Sequence, residues 1–207
     1  MDTKTAIKFG LHLRPEYASA NLKLIHKKAS EDLKNLCKKI LEIPKEEFYK
    51  KNFHLYLYGP YRAGKTWFFH AVMNYLYLKF GENSMYFITS PNLLEYFRNR
   101  KMYDDEFTWV QYLSNKRFLV IDDIGQEYRG SNTGFAETYL EQFIRWRINN
   151  GFITYLGGNG NVNELIKVYG GSFGELIDSE FVTFDIENSP NMGKIILQEK
   201  LDGKNQH

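Results

Sequence analysis

The sequence predicts a three-layer α/β domain built on a five-stranded parallel sheet. Three observations carry that prediction. Strand-like and helix-like runs alternate strictly from residue 53 to residue 184. Phe118-Leu-Val-Ile121 is apolar at every position. A glycine-rich turn ending Gly64-Lys65-Thr66 joins the first strand to the first helix of the alternation. A strand apolar on both faces is what a parallel sheet needs when crossover helices cover it above and below.

Residues 1–29 show little periodicity and are expected to form an ordered arm rather than a domain. From Ser30, Glu31 and Asp32 suit a first helical turn. Leu33, Leu36, Cys37, Ile40 and Leu41 then recur at helical spacing until Pro44 closes the segment. Lys34, Lys38 and Lys39 fall off that stripe, which suits a solvated face as well as a nucleic-acid contact. A strand over 53–58 and a helix over 65–80 follow, the helix stopping before Gly81. Met85–Thr89 reads as the second strand. Ser90-Pro91 supplies a cap and a first-turn proline to a helix carrying Leu93, Leu94 and Phe97. Residues 105–114 suit a short helix, 118–121 the third strand, 134–149 a long helix and 152–156 the fourth strand. Helices near 161–168 and 172–178 precede the fifth strand, Phe181–Phe184. This divides the chain into an arm and helix (1–50), a core (51–187) and a tail (188–207) that carries no interpretable motif and is expected to fray from Asp202.

Composition narrows the class. Aromatic residues make up 16% of the 207, which excludes a disordered chain. Lys and Arg number 27 against 25 acidic residues, so no polycationic character demands nucleic acid, although local basic patches stay open. A single cysteine, Cys37, leaves no intramolecular disulfide and suits a reducing compartment. Its helical stripe marks it as a buried structural thiol. His26, His54 and His70 lack metal-ligand spacing and read as structural or exposed. No apolar run approaches the ~18 residues that span a bilayer, and no signal-peptide core opens the chain, so a soluble cytoplasmic protein is expected.

The chemistry is concentrated at Gly59-Pro60-Tyr61-Arg62-Ala63-Gly64-Lys65-Thr66. The spacing Gly-x4-Gly-Lys-Thr between a strand and a helix is a phosphate-binding loop. Its backbone N–H groups cradle a phosphate, Gly64 permits close approach, Lys65 meets the outer phosphates and the Thr66 hydroxyl ligates Mg²⁺. The helix that follows points its positive end at the anion. A chance Gly/Lys turn is the alternative, and the flanking strand and helix argue against it. Strand three ends in Asp122-Asp123-Ile124-Gly125. Asp122 is placed to hold Mg²⁺ through water, and Asp123 to orient or deprotonate an attacking water. A pair of plain loop aspartates is the bland alternative. Asn159, after Gly157-Gly158 at the end of strand four, lies where strand C-termini line a ligand crevice. There it reads either as a water-positioning amide or as part of a turn.

With these elements in order the chain resembles the AAA+ ATPases that load replicative helicases in bacteria and their phages, the DnaC/DnaI-like loaders, with IstB-like transposition helpers as relatives. The likeness is carried by Leu57–Thr66, Tyr86–Leu94, Leu119–Gly125, Arg147–Asn159 and Tyr169-Gly170, over roughly residues 50–185, with Leu13–Tyr17 resembling the short lead-in of such proteins. It implies sheet order 5-1-4-3-2. It makes Lys65 and Thr66 Walker A, Asp122 and Asp123 Walker B, and Asn159 sensor 1. It further implies ATP/ADP and Mg²⁺ as ligands, and a homo-oligomer, single-stranded DNA and a hexameric replicative helicase as partners, without a membrane. Two departures stand out. The run Gly170–Ser179 lacks the arginine that such loaders direct at a neighbour's γ-phosphate, and Arg147 is the last arginine in the chain. Unless Arg129, Arg145, Arg147 or a partner supplies it, hydrolysis is expected to be slow. The separate helicase-binding domain is absent or reduced to the first ~50 residues.

Three functions are thus in play: an ATP-hydrolysing helicase loader or replication accessory protein, a nucleotide-dependent non-catalytic module such as an inhibitor or IstB-like helper, and a P-loop small-molecule kinase. The Asp-Asp pair and the absence of an arginine-rich lid speak against the last. For the loader, Lys23, Lys27, Lys28, Lys34 and Lys38 form a candidate backbone-tracking surface, with Tyr103 or Trp109 as stacking residues.

Overall fold

Five parallel strands form one sheet in the order β2-β3-β4-β1-β5, which read from the other edge is the expected 5-1-4-3-2. The computed structural model describes residues 17–50, 53–81, 84–98, 109–125, 133–186 and 188–204. A 3-10 turn at Leu22–Leu24 precedes α1 (Glu31–Glu42) and α2 (Lys45–Lys50). The alternation then runs β1 (His54–Tyr58), α3 (Lys65–Phe80), β2 (Met85–Thr89), α4 (Ser90–Arg98), α5 (Trp109–Ser114), β3 (Phe118–Ile124) and α6 (Thr133–Asn149). It continues with β4 (Ile153–Gly158), α7 (Val162–Tyr169), α8 (Gly171–Glu180) and β5 (Phe181–Asp185), and α9 (Met192–Lys204) follows.

Each strand alternates its side chains between two dry layers, as the two-residue period of a strand dictates. Leu55, Leu57, Phe87, Val120 and Tyr155 pack with α1 and α3 through Leu33, Leu36, Phe68, Phe69 and Val72. Tyr56, Tyr86, Ile88, Leu119, Ile121 and Leu156 face the other way, onto Leu93, Leu140, Ile144, Leu165 and Phe173. β4 lies between the two motif strands, pairing Leu55 with Tyr155 on one side and Ile121 with Leu156 on the other. The C-termini of β1, β3 and β4 therefore open at one end of the sheet, and that end carries the site.

Several details depart from the sequence reading. α2 is absent from it, yet Pro44 ahead of Glu46 and Glu47 is a helix-start signal. Phe48 from this turn is fully buried against the Phe53, Phe80 and Phe118 rings. The tail is helical through Lys204, so the fraying expected from Asp202 does not hold at 202–204. Cys37 is buried, and burial raises its thiol pKa to about 12. Residues 105–108, Tyr103 and Arg129 lie outside the described residues, as does the Trp109 side chain.

At the opposite end of the sheet from the site, Arg147 is fully buried. Nε donates to Thr154 Oγ1 (3.0 Å), Nη1 to the carbonyls of Leu113 (2.8 Å) and Ser114 (3.1 Å), and Nη2 to those of Lys116 and Ile153 (both 2.9 Å). Burial pulls its pKa down to about 9 and leaves it charged at neutral pH. Beside it, His54 Nδ1 accepts from the Thr154 N–H, so Nε2 carries the ring proton, and it does so without a partner. Burial first, and the Arg147 charge second, lower the His54 pKa to about 4. A histidine held neutral in the fold takes up a proton on unfolding whenever the pH lies below its ordinary value. His54 therefore stabilises fully above pH ~6.5, and that contribution, up to about 3 kcal/mol, is lost as the pH falls toward 4. Denaturant midpoints measured from pH 7.5 down to pH 4.5 should fall more steeply for wild type than for His54→Gln. Parallel slopes would remove His54 from the acid sensitivity.

Candidate functional site

The turn after β1 wraps because its residues tolerate unusual backbone angles. Gly64 caps α3 with φ 106°, left-handed and cheap only for glycine. Lys65 follows as the first residue of α3 and is only 7% exposed. Its ammonium donates to the carbonyls of Gly59 (2.7 Å) and Pro60 (2.9 Å) and to Asn159 Oδ1 (2.9 Å), so all three donors are engaged. Burial lowers its pKa, and Asp122 and Asp123 oppose that shift. One turn of backbone thus brings Lys65 to the Asn159 amide just after β4.

Thr66 Oγ1 donates to Asp122 Oδ2 at 2.6 Å. Asp122 is 1% exposed, and its second oxygen, Oδ1, is buried without a partner. Burial, more than any other influence, raises the Asp122 pKa. Such a carboxylate is costly in the absence of a cation. Two hard oxygen donors, one on a buried carboxylate, fit Mg²⁺ held partly through water. Among the described residues no cluster of three or more His, Cys, Asp or Glu forms a metal cage. An ion here would therefore take its other ligands from phosphate and water.

β3 runs to Ile124, three residues beyond its expected end, because its register shifts between Ile121 and Ile124. Two residues of β3, Asp122 and Asp123, there oppose one of β4, Gly157, a bulge whose extra residue is accommodated with Asp123 at φ 61°. A non-glycine residue in that region costs about 1–2 kcal/mol. The bulge turns Asp123 into the cleft, while Asp122 stays beneath Thr66. Tyr169 closes this corner by accepting the Gly125 N–H at 2.9 Å.

Gly157 is the residue the sequence reading passed over as part of a turn. A Cβ on it would lie 2.1 Å from Asp122 Oδ1 and 2.6 Å from the Phe69 ring. Gly157→Ala is expected to cost at least about 3 kcal/mol by displacing Asp122 or Phe69, a fall in Tm of roughly 6–12 °C. Gly171→Ala, which faces open space, should stay within ~0.5 kcal/mol of wild type. Equal melting of the two variants would refute the close packing.

A cleft of about 470 Å³ connects these groups. Its lining includes Arg62, Gly64, Lys65, Thr66, Asp123 and Asn159. Its apolar lining comes from elements without sequence motifs, Ile25, Ala29 and Leu33 ahead of β1 and Met192 and Ile196 of α9. Chain segments far apart in sequence fasten these elements together. His26 Nε2 donates to Glu199 Oε2 (2.8 Å), Lys28 pairs with Glu199 Oε1 (3.0 Å), and Ser189 Oγ donates to Ser30 Oγ (2.6 Å).

The candidate basic surface is partly neutralised. Lys34 pairs with Glu31 and Lys28 with Glu199, while Lys23, Lys27 and Lys38 stay exposed. Among the arginines raised as donors to a neighbour, Arg147 is buried and fully engaged. Arg145 is tied to Glu141 (2.8 Å) and to Ser172 at the start of α8.

No protein-family model matches this chain, and no curated protein sequence matches it. Solved structures do. The DnaC helicase loader aligns with a TM-score of 0.71 at 19% identity, covering 84% of this chain and all of that one. DnaI aligns with a TM-score of 0.65 at 21% identity, covering 87% and 94% of the two chains. The replication initiator DnaA bound to AMPPCP and single-stranded DNA aligns with a TM-score of 0.62 at 13% identity, covering 95% of this chain and 57% of that one. The chain thus has the AAA+ fold, and no helix among the described residues is long and apolar enough to cross a membrane.

Proposed function

We infer that this chain, with the fold of the DnaC helicase loader, is an ATP-binding replication protein that switches between ATP and ADP states. The observation that carries this reading is that Lys65 bonds to Asn159, and Thr66 to the buried Asp122, beside a cleft that also has apolar lining. Polar and apolar lining together suit a triphosphate and a base. Lys65 exchanges its carbonyl and Asn159 partners for phosphate oxygens, and the loop N–H groups take the β-phosphate. Thr66 and Asp122 would hold Mg²⁺, which when bound neutralises phosphate charge. Asp123 receives the proton of the attacking water, and Asn159 orients that water.

A helicase loader or replication accessory protein is the finer form of this reading, supported by likeness to a helicase loader and to an initiator solved with single-stranded DNA. Its partners are then a hexameric replicative helicase, single-stranded DNA and further copies of the chain in the cytoplasm. The test measures ATP turnover alone, with single-stranded DNA and with a hexameric helicase, beside ATP-dependent anisotropy binding to each partner. Failure of ATP to change affinity for either partner would remove the loader reading. A non-catalytic nucleotide-dependent module is the second reading, favoured by one observation: Arg147 is sequestered and Arg145 already carries a carboxylate partner. Nucleotide binding without turnover under every condition would select it.

A further inference from the structure

Arg62, the fourth residue of the phosphate loop, is the feature that the reading above leaves without a task. It adopts φ 63°, so an arginine stands where glycine would be free of strain. Its surroundings hold it there. The Met192 N–H donates to its carbonyl at 3.0 Å, and its side chain crosses Gly193 so closely that a Cβ on that glycine would be 3.1 Å from Arg62 Cδ. The guanidinium lies 5.9 Å from the centre of the exposed Tyr61 ring and lines the cleft with Lys65, Thr66, Asp123 and Asn159.

Charge accounting isolates this residue. Lys65 has three protein acceptors, Arg145 has Glu141, and Arg147 has five neutral oxygens at the far end of the sheet. Among the described residues the Arg62 guanidinium has no ion-pair or hydrogen-bond partner, although it lines the cleft. Strained backbone at a cleft, carrying an unpaired planar cation, is the arrangement expected where an anion is to be met in a forked geometry.

We propose that Arg62 supplies, within the same subunit, the guanidinium that contacts the outermost phosphate of a bound nucleoside triphosphate. This rests on the nucleotide reading above and adds to it a determinant of triphosphate over diphosphate. In hydrolysis the water oxygen forms the new bond to the γ-phosphorus as the bridging P–O bond breaks. The electron pair of that bond leaves on the β-phosphate oxygen, and the proton of the water passes to Asp123. Arg62 offsets charge on the γ-oxygens throughout.

The experiment measures affinity for ATP and ADP separately, turnover and Tm for wild type, Arg62→Gly, Arg62→Lys and Lys65→Ala. Arg62→Gly relieves the backbone strain, so its Tm should rise by about 2–4 °C. Meanwhile its ATP affinity should fall about 10–100-fold with ADP affinity within about twofold, and any turnover should fall at least ~10²-fold. Arg62→Lys keeps the charge without the fork and should recover part of the preference for ATP. If Arg62→Gly keeps the wild-type ATP/ADP ratio and turnover while Lys65→Ala has lost nucleotide binding, Arg62 has no such role and the nucleotide site stands. If Lys65→Ala binds nucleotide as well as wild type, the site reading fails and this inference with it.

Discussion

Arg147→Ala should destabilise the fold by about 4 kcal/mol, lowering Tm by on the order of 10 °C or preventing folding at 37 °C. The mechanism is the loss of partners in a dry interior. Four carbonyls, from Leu113, Ser114, Lys116 and Ile153, and the Thr154 hydroxyl all accept from one guanidinium. An unpaired buried acceptor costs roughly 1–3 kcal/mol, and an arginine-sized void adds its own penalty. Leu113 and Ser114 end α5 and Lys116 lies in the loop after it, so the loss would loosen the junction of α5 with β3. Arg147→Lys should recover little, because an ammonium offers three donors to five acceptors. Urea unfolding would settle the matter: a midpoint for Arg147→Ala within experimental error of wild type would show that the guanidinium contributes nothing net.

Lys65→Ala should reduce ATP affinity by at least ~100-fold while leaving the unliganded fold close to wild-type stability. The asymmetry follows from its surroundings. Lys65 is a desolvated cation satisfied by two carbonyls and an amide oxygen, and its burial already disfavours the charge. Removing it takes away a costly group along with its bonds, whereas bound phosphate would lose its direct counter-charge. In thermal shift, Mg-ATP at ~100 times Kd adds about 2.7 kcal/mol to the wild type, a rise of roughly 5–11 °C. The variant should show no rise at that concentration. A full ligand-induced shift in Lys65→Ala would be incompatible with a phosphate-binding role for the loop.

Much of the sheet was legible because local signals there agree with the tertiary result. Phe118–Ile121 is apolar on both faces and is buried on both; the loop sequence joins a strand to a helix and does so in space. What escaped was non-local. Arg147 stands in the sequence as a candidate donor to a neighbour's phosphate, and only the approach of the segment around Leu113–Lys116 and the first residues of β4 reveals that it is internal. Gly157 reads as a turn because its reason, the carboxylate of Asp122 lying against its Cα, sits on a different strand. Asp123 gives no sign of a bulge, since register is a property of two strands together. The apolar walls of the cleft carry no motif because a flat hydrophobic surface can be built from many side chains.

The fastening of Ser30 to Ser189, and of His26 and Lys28 to Glu199, has a kinetic corollary. These are partly exposed polar contacts, the ion pairs among them worth about 0.2–1 kcal/mol each, so the segment 26–30 and α9 should part from one another far more often than the sheet unfolds.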